Sequence, residues 1–144
     1  MTPKEAIRNI ISNTCRIDGA YYYAARKSGM GENEMNLLYT LDDGNEHSQH
    51  QLSTELMIPK TTINTVVKGL GEKGLVTLRE NGKEKMLSLT PKGKEETAIL
   101  MRPFYEAEER AMKRTLEMYD ESFVTAFAYL SDALCDEIGK IGQN

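Results

Sequence analysis

The chain is poor in the residues that build metal centres, disulfide frameworks and membrane spans. Its 144 residues include no tryptophan, two histidines and two cysteines, and Cys15 and Cys135 are too far apart in sequence for a metal or redox motif. No apolar run approaches the ~18 residues of a membrane span, and the beginning, "MTPKEAIRNIISN", lacks the apolar core of a secretory signal. We therefore expect a cytoplasmic protein with no disulfide, no cofactor and no membrane anchor.

Charge is unevenly distributed along the chain. The net charge is −4, which argues against a protein that simply coats nucleic acid. Residues 59–94 nevertheless hold eight lysines and arginines against three acids, a balance of +5, so the remainder carries −9. A basic block inside an acidic protein is either a solvated charged face or a localised surface for a polyanion.

Apolar spacing predicts three helices before the basic block. Residues 3–28 repeat apolar side chains at helical intervals, and residues 34–41 form a second, shorter helix. Ser48 and Gln51 match a capping box, in which each side chain satisfies a free backbone donor. We therefore expect a third helix from Gln49 to about residue 56.

The stretch "PKTTINTVVKGLGEKGLV" predicts a fourth helix with an unusual exposed face. Pro59 suits its first turn, and Gly74 suits a left-handed residue after its end. One side carries an apolar stripe, formed by Ile63, Val66, Val67 and Leu70. The other side carries short hydroxyls, an amide and an ammonium, from Thr61, Asn64, Thr65 and Lys68. Such groups can reach DNA base edges and phosphates.

A hairpin follows the fourth helix. "VTLRENGKEKMLSLT" alternates apolar and polar residues around Asn81-Gly82, the preferred pair of a type I′ turn. The third and fourth helices, joined by a tight turn at Met57-Ile58, read as a helix-turn-helix. The hairpin would be its wing, directing Arg79, Lys83 and Lys85 toward the DNA backbone or minor groove.

Two further helices are predicted after the hairpin. Thr90 and Pro91 begin a long helix in which Pro103 is expected to produce a kink. Asp120 caps the last helix. Its apolar seam consists of Phe123, Phe127, Leu130, Leu134 and Ile138.

The segment "QLSTELMIPKTTINTVVKGLGEKGLVTLRENGKEKMLSLTPKG", residues 51–93, resembles the winged helix-turn-helix core of the MarR family of bacterial transcription regulators. The order of the flanking helices extends the resemblance to nearly the whole chain. It implies a homodimer on a pseudo-palindromic operator, usually as a repressor, released when a small aromatic or anionic ligand binds. It also implies one domain over residues 1–144, mostly α with a small β-hairpin wing.

Within that domain, residues 32–94 would be the DNA-binding part, and residues 1–30 and 95–144 the helical dimerisation part. The predicted DNA contacts are Ser48, Gln49, Lys60, Thr61, Thr62, Asn64, Thr65, Lys68, Arg79, Lys83 and Lys85. The resemblance places the dimer interface on the first and last helices, at Ile7, Ile10, Ile11, Phe123, Phe127, Leu130, Leu134 and Ile138. The wing departs from the family pattern, because Asn81-Gly82-Lys83 stands where Asp-x-Arg is common.

Several other patterns admit competing interpretations. "GLGEKG" satisfies a dinucleotide-binding spacing but closes a helix instead of opening one. His47 and His50 could hold zinc, although solvent-facing or phosphate-facing histidines are more common. Cys15 near tyrosines could make a redox sensor or a packed, inert thiol. No set of residues indicates catalysis, so an enzyme is not predicted.

Two alternatives to a DNA-binding regulator use the same fold. A winged helix can bind a protein instead of DNA through the same exposed helix face. A sensor, responding to a ligand, a metal or redox state, would bind DNA only weakly unless it carried its effector. The basic block favours DNA, because contacts to phosphates use lysine and arginine.

Overall fold

The computed structural model describes residues 1–142, which contain six α-helices and three β-strands. In chain order these are α1 (Pro3–Lys27), α2 (Glu32–Leu41), β1 (His47–Ser48), α3 (Gln49–Glu55), α4 (Lys60–Glu72), β2 (Val76–Asn81), β3 (Glu84–Leu89), α5 (Pro91–Leu116) and α6 (Ser122–Gly139). The mostly α fold with a small hairpin is confirmed, and all six predicted helices are present. None of these helices is long and apolar enough to cross a membrane.

The chain divides into two compact units, Met1–Met101 and a second that begins at Arg102. The first unit contains one hydrophobic core between α2, α3, α4 and the sheet. Its buried members are Leu37, Leu38, Leu41, Leu52, Ile58, Ile63, Val67, Leu70, Leu75, Val76, Leu87 and Leu89. Because the apolar stripe of α4 faces this core, the opposite face of α4 is left at the surface.

The three strands form an antiparallel sheet in the order β1-β3-β2. Strand β3 is central: Leu87 pairs with His47 on one side and with Leu78 on the other. Strand β1 was not predicted, because two residues are too short for an alternating pattern. Its pairing joins the start of α3 to the hairpin, and so places α3 beside the wing.

The hairpin turn differs from the prediction by one residue. Asn81 is still paired with Glu84, so the two-residue loop consists of Gly82 and Lys83. Gly82 has a φ of +62°, and Lys83 does not have a positive φ. A positive φ at the first central residue alone is the pattern of a type II′ turn. The predicted type I′ turn at Asn81-Gly82 is therefore wrong, since it would also require a left-handed asparagine.

The exit of α4 is joined by hydrogen bonds to the start of α5. Gly74 has a φ of +72°, which confirms the predicted left-handed residue. The Thr90 hydroxyl donates to the Gly74 carbonyl oxygen at 2.6 Å and accepts from the Gly93 N–H at 2.9 Å. Thr90 therefore caps α5 as predicted and also ties that cap to the turn that follows α4.

Two further contacts hold Lys73, the residue that follows α4. The Lys92 ammonium donates to the Lys73 carbonyl oxygen at 2.9 Å. The Lys73 ammonium in turn forms an ion pair with Glu34 of α2. Helices α2 and α5 thus both attach to the end of α4.

Helix α6 carries an apolar seam without burying it. None of the residues Ser122–Gly139, all of which the structure describes, is buried. Phe123, Phe127 and Ile138 are exposed, and Leu130 and Leu134 are half-buried. The helix begins at Ser122, whose N–H donates to the Asp120 carboxylate at 2.8 Å. Hydrogen bonds from the Ser122 side chain, and then from this N–H, lower the pKa of Asp120. The N-cap residue is therefore Glu121 and not the predicted Asp120, although the Asp120 side chain still accepts from the first helical N–H.

Candidate nucleic-acid interface

The exposed face of α4 carries polar side chains along its length. Ile63, Val67 and Leu70 are buried on the core side. The residues exposed on the other side are Lys60, Thr61, Asn64, Thr65 and Lys68, while Thr62 is half-buried. This is the face on which the sequence analysis placed the base-reading residues, and it has no covering element within the described part of the first unit.

The turn between α3 and α4 has a fixed geometry. The Ile58 N–H donates to the Ser53 carbonyl oxygen at 3.1 Å, and the Ser53 hydroxyl donates to the Ile58 carbonyl oxygen at 2.7 Å. Met57, between them, has a φ of +53°. This is the left-handed C-terminal motif that usually contains glycine. The two hydrogen bonds hold the chain where α4 leaves α3.

A groove of about 530 Å³ lies where α3, α4 and the hairpin meet. Its lining residues are Gln49, His50, Lys60, Asn64, Lys83, Glu84 and Lys85. We call this the lysine groove, because three of its seven lining residues are lysines. Glu84 is its one acid, and the Glu84 carboxylate accepts a hydrogen bond from the Ser48 hydroxyl at 3.3 Å. The groove is therefore suited to a polyanion.

Ser48 lies below the groove and not in it. Ser48 is buried, with 5% of its surface exposed. Its hydroxyl accepts from the Gln51 N–H at 3.4 Å, so Ser48 caps α3 as predicted. The Gln51 side chain donates instead to Glu55, at 2.7 Å, so the reciprocal half of the capping box is not formed. Ser48 would thus contact a phosphate through its backbone and not through its side chain.

Arg79 is separated from the lysine groove by the sheet. Arg79 pairs with Met86, and the next residue, Glu80, pairs with Lys85. Successive side chains of a strand point to opposite faces, so Arg79 and Lys85 lie on opposite faces of the hairpin. The Arg79 guanidinium donates two hydrogen bonds to the Glu46 carboxylate, at 3.1 and 2.7 Å, which lower the pKa of Glu46. The predicted DNA contact of Arg79 stays a prediction, and the other wing candidates, Lys83 and Lys85, are the ones in the groove.

The two histidines have different surroundings. His47 Nε2 lies 3.0 Å from both carboxylate oxygens of Asp43. The Asn45 backbone N–H and then His47 donate to Asp43 and lower the pKa of this carboxyl to about 2. His50 lines the lysine groove. Residues 1–142 contain no group of three or more histidine, cysteine or acidic side chains arranged to hold a metal ion.

The cysteines and the glycine-rich stretch take no part in the groove. Cys15 and Cys135 are exposed free thiols, so the packed Cys15 considered from the sequence is not seen in the single chain. Gly69 to Gly74 span the last part of α4 and the turn into β2. That position differs from a dinucleotide-binding loop, which follows a strand and opens a helix.

A family model described as the MarR family matches residues 28–85, which include α2, α3, α4, β2 and the hairpin turn. Residues 28–85, less than half of the chain, are thus similar in sequence to the MarR family. A comparison with curated proteins gives no match. The match agrees with the order of helix-turn-helix and wing that the fold displays.

Solved structures show that the MarR-family fold extends beyond the matched segment. A MarR family regulator from Neisseria meningitidis is 22% identical, with a TM-score of 0.72 over 97% of this chain and 96% of that one. A MarR family regulator from Listeria monocytogenes, complexed with 26mer DNA, is 19% identical, with a TM-score of 0.72 over 96% and 94%. Staphylococcus aureus MarR, in complex with salicylate and kanamycin, is 17% identical, with a TM-score of 0.67 over 96% and 93%.

Proposed function

We propose that this chain is a sequence-specific DNA-binding regulator that represses transcription as a homodimer on a pseudo-palindromic operator. The observation that carries the proposal is the lysine groove, which joins three lysines to Asn64 of α4 and Gln49 of α3. Lysines bind phosphate as point charges, and amides read base edges. The groove therefore combines, on one surface, the two kinds of contact that a specific DNA complex needs.

In the proposed complex, α4 is the recognition helix and enters the major groove. Thr61, Asn64 and Thr65 face base edges, while Lys68 reaches an adjoining phosphate. Lys83 and Lys85 of the wing and Lys60 at the start of α4 hold the DNA backbone that runs along the lysine groove. The DNA-bound relative from Listeria monocytogenes supports this use of the fold.

The proposed homodimer uses α6 and α1. Exposed apolar side chains are costly unless a partner covers them, and α6 exposes Phe123, Phe127 and Ile138. In α1, Ile11 is exposed, and Ile7 and Ile10 are half-buried. Two recognition helices held by such a dimer would reach major grooves about one helical turn apart.

The proposed regulation is release of DNA by a small ligand. A cavity of about 280 Å³ between α1 and α2 has two tyrosines, Tyr21 and Tyr39, in its lining, together with Met35 and Asn36. Asp18 and Glu32 also line it. The tyrosines suit an aromatic ligand, whereas two carboxylates would repel an anion. Of the two ligand classes predicted from the resemblance, this cavity therefore favours the aromatic one. The ligand would act by binding more tightly to a dimer whose recognition helices are wrongly spaced.

The rival function is a winged-helix module that binds a protein through the same face. Such a surface would be expected to carry large apolar anchors at its centre. The exposed side chains of α4 are instead threonines, an asparagine and lysines. This composition favours DNA.

The test is fluorescence anisotropy of the full chain with the DNA upstream of its own gene, and with a scrambled duplex, across a salt series. We expect tight, sequence-selective binding that weakens steeply as salt rises, because each neutralised phosphate releases counterions. Equal weak binding to both duplexes would refute a ligand-free repressor. Equal weak binding that becomes selective only with an added aromatic ligand would assign the sensor function instead.

A further inference from the structure

Two amide side chains join α3 to α4 inside the lysine groove. Gln49 Nε2 donates a hydrogen bond to Asn64 Oδ1, across 15 positions of sequence. Both residues line the groove beside Lys60. We propose that Gln49 is a positioning residue: it fixes the amide of Asn64 so that Asn64 presents hydrogen-bond donors, and not its oxygen, to a DNA base. This inference rests on the proposed DNA-binding function.

The hydrogen-bond inventory of an asparagine explains the constraint. The amide oxygen can accept two hydrogen bonds, and the NH₂ group donates two. In Asn64 the oxygen already accepts from Gln49. Rotating the Asn64 amide by half a turn while Gln49 keeps its orientation would exchange oxygen and nitrogen and would break that bond. The Nδ2 group of Asn64 has no hydrogen-bond partner within residues 1–142, so both of its N–H groups remain available.

This orientation has a consequence for base selection. In the major groove, guanine offers the acceptors N7 and O6, and thymine offers O4. Cytosine offers only an amine donor, and adenine is best read by an asparagine that uses its oxygen and its nitrogen together. An Asn64 whose oxygen is turned toward Gln49, so that its NH₂ faces the DNA, should therefore prefer guanine or thymine at the base it faces.

The side chain at position 49 thus controls the preference without itself reading the base. Gln49→Glu replaces a donor with a carboxylate, which only accepts. Asn64 must then turn its NH₂ toward position 49 and present its oxygen to the DNA. The preference at that one base should move to adenine or cytosine, whose exocyclic amines donate.

The experiment compares base preferences of variants of the full chain. Duplexes selected by the wild-type protein from a random library define its site, and Asn64→Ala identifies the position at which preference is lost. Four labelled duplexes that differ at this base pair are then titrated by anisotropy. We expect Gln49→Glu to reverse the wild-type order by roughly tenfold, the scale of one good side-chain-to-base contact. Gln49→Ala should leave the four duplexes nearly equal.

Gln51→Glu is the matched control for the added negative charge. Gln51 lies on the same helix, but its side chain donates to Glu55 and does not contact Asn64. This change should weaken binding to all four duplexes alike. Circular dichroism tests whether each variant is folded. If Gln49→Glu does not fold, the test is whether Gln49→Ala binds the four duplexes with nearly equal affinity.

The outcomes separate this inference from the function on which it rests. A wild-type protein that selects no sequence from the library refutes the proposed function before any variant is made. Where the wild-type protein is instead selective, Gln49→Glu would overturn the positioning role if it kept the wild-type base preference. In that case it would only weaken binding to all four duplexes alike, as Gln51→Glu does. A preference that survives Asn64→Ala at every position overturns it as well.

Discussion

The carbonyl oxygen of Leu75 lies against the α-carbon of Gly93. A Cβ added to Gly93 would be 1.9 Å from that oxygen and 2.8 Å from the carbonyl carbon. The same oxygen accepts the Thr90 N–H at 3.0 Å. The start of α5 can pack against Leu75, between α4 and β2, only because position 93 has no side chain.

Gly93→Ala should therefore destabilise the protein by about 3 kcal/mol, the scale of a steric insertion that the backbone must absorb. Urea denaturation followed by circular dichroism measures the change. Gly71→Ala is the control, because a Cβ at Gly71, in helix α4, meets no atom within 4 Å. That substitution should stabilise by roughly 0.5–1 kcal/mol through helix propensity. Equal effects at the two positions would contradict the close packing of Leu75 and Gly93.

Met57→Gly should stabilise the helix-turn-helix by about 1 kcal/mol. Met57 has a φ of +53° and is 80% exposed, so glycine would relieve a left-handed backbone while losing little packing. Met57→Ala keeps the strained backbone and should change stability much less. Thermal melts of the two variants distinguish backbone relief from loss of the methionine side chain. A lower melting temperature for Met57→Gly would mean that the side chain packs favourably.

Lys85→Ala should reduce the slope of log affinity against log salt by about 0.9, since one phosphate contact is lost. Lys60→Ala should act similarly, because both lysines line the groove. Lys94→Ala provides the control, as Lys94 belongs to the same basic block but lies outside the groove lining. Anisotropy titrations at several salt concentrations give the slopes. A slope unchanged in Lys85→Ala would remove the wing from the DNA contact.

Arg79→Ala distinguishes the two faces of the hairpin. Because Arg79 is paired with Glu46 and lies on the opposite face from Lys85, its removal should change the salt slope less than Lys85→Ala. The same titrations provide the comparison. A slope change as large as that of Lys85→Ala would mean that Arg79 leaves Glu46 and binds DNA, as the sequence analysis predicted.

Asp43 should make stability depend on pH in the acid range. Its pKa falls from 3.8 to about 2 on folding, mainly through the Asn45 N–H and then His47. The unfolded state therefore binds more protons between these values, and the stabilisation, complete above pH 3.8, is lost as the pH falls toward 2. Asp43→Asn removes this contribution. The difference in unfolding free energy between wild type and variant should therefore shrink as the pH falls from 3.8 toward 2. A gap that is independent of pH in chemical denaturation would contradict the assignment.

Phe127→Glu should convert the proposed homodimer into a monomer. Phe127 lies in the apolar seam of α6 and is exposed in the single chain. A carboxylate buried at an apolar interface has no partner to offset its desolvation. Thr125→Glu, two positions away on the other side of the helix, should leave association intact. Sedimentation velocity reports both outcomes, and a stable dimer of Phe127→Glu would place the interface elsewhere.

Local patterns predicted the elements of this fold but not the partners of its polar side chains. The stripe containing Ile63 and Val67 determined which face of α4 is exposed, because burial of that stripe leaves a single orientation. Gly74 was predictable, since a helix end followed by a strand demands a left-handed residue. The short strand β1 was missed, because its two residues form only by pairing with β3.

The side-chain contacts that tune the candidate interface depend on distant parts of the chain. Glu46 meets Arg79 across 33 positions, and Gln49 meets Asn64 across 15. The first contact depends on the pairing of β1 with the hairpin, and the second on the packing of α3 against α4, and no spacing rule anticipates either. The turn position also depended on register, because the pairing of Asn81 with Glu84 moved the loop to Gly82 and Lys83.

The attachments of Lys73 have a mechanical meaning. Its ammonium is bound to Glu34 and its carbonyl to Lys92, immediately before the Gly74 turn. Because Lys73 lies at the end of α4, a shift of Glu34 or of Lys92 would pull on α4 itself, and the exposed polar face of α4 would move with it.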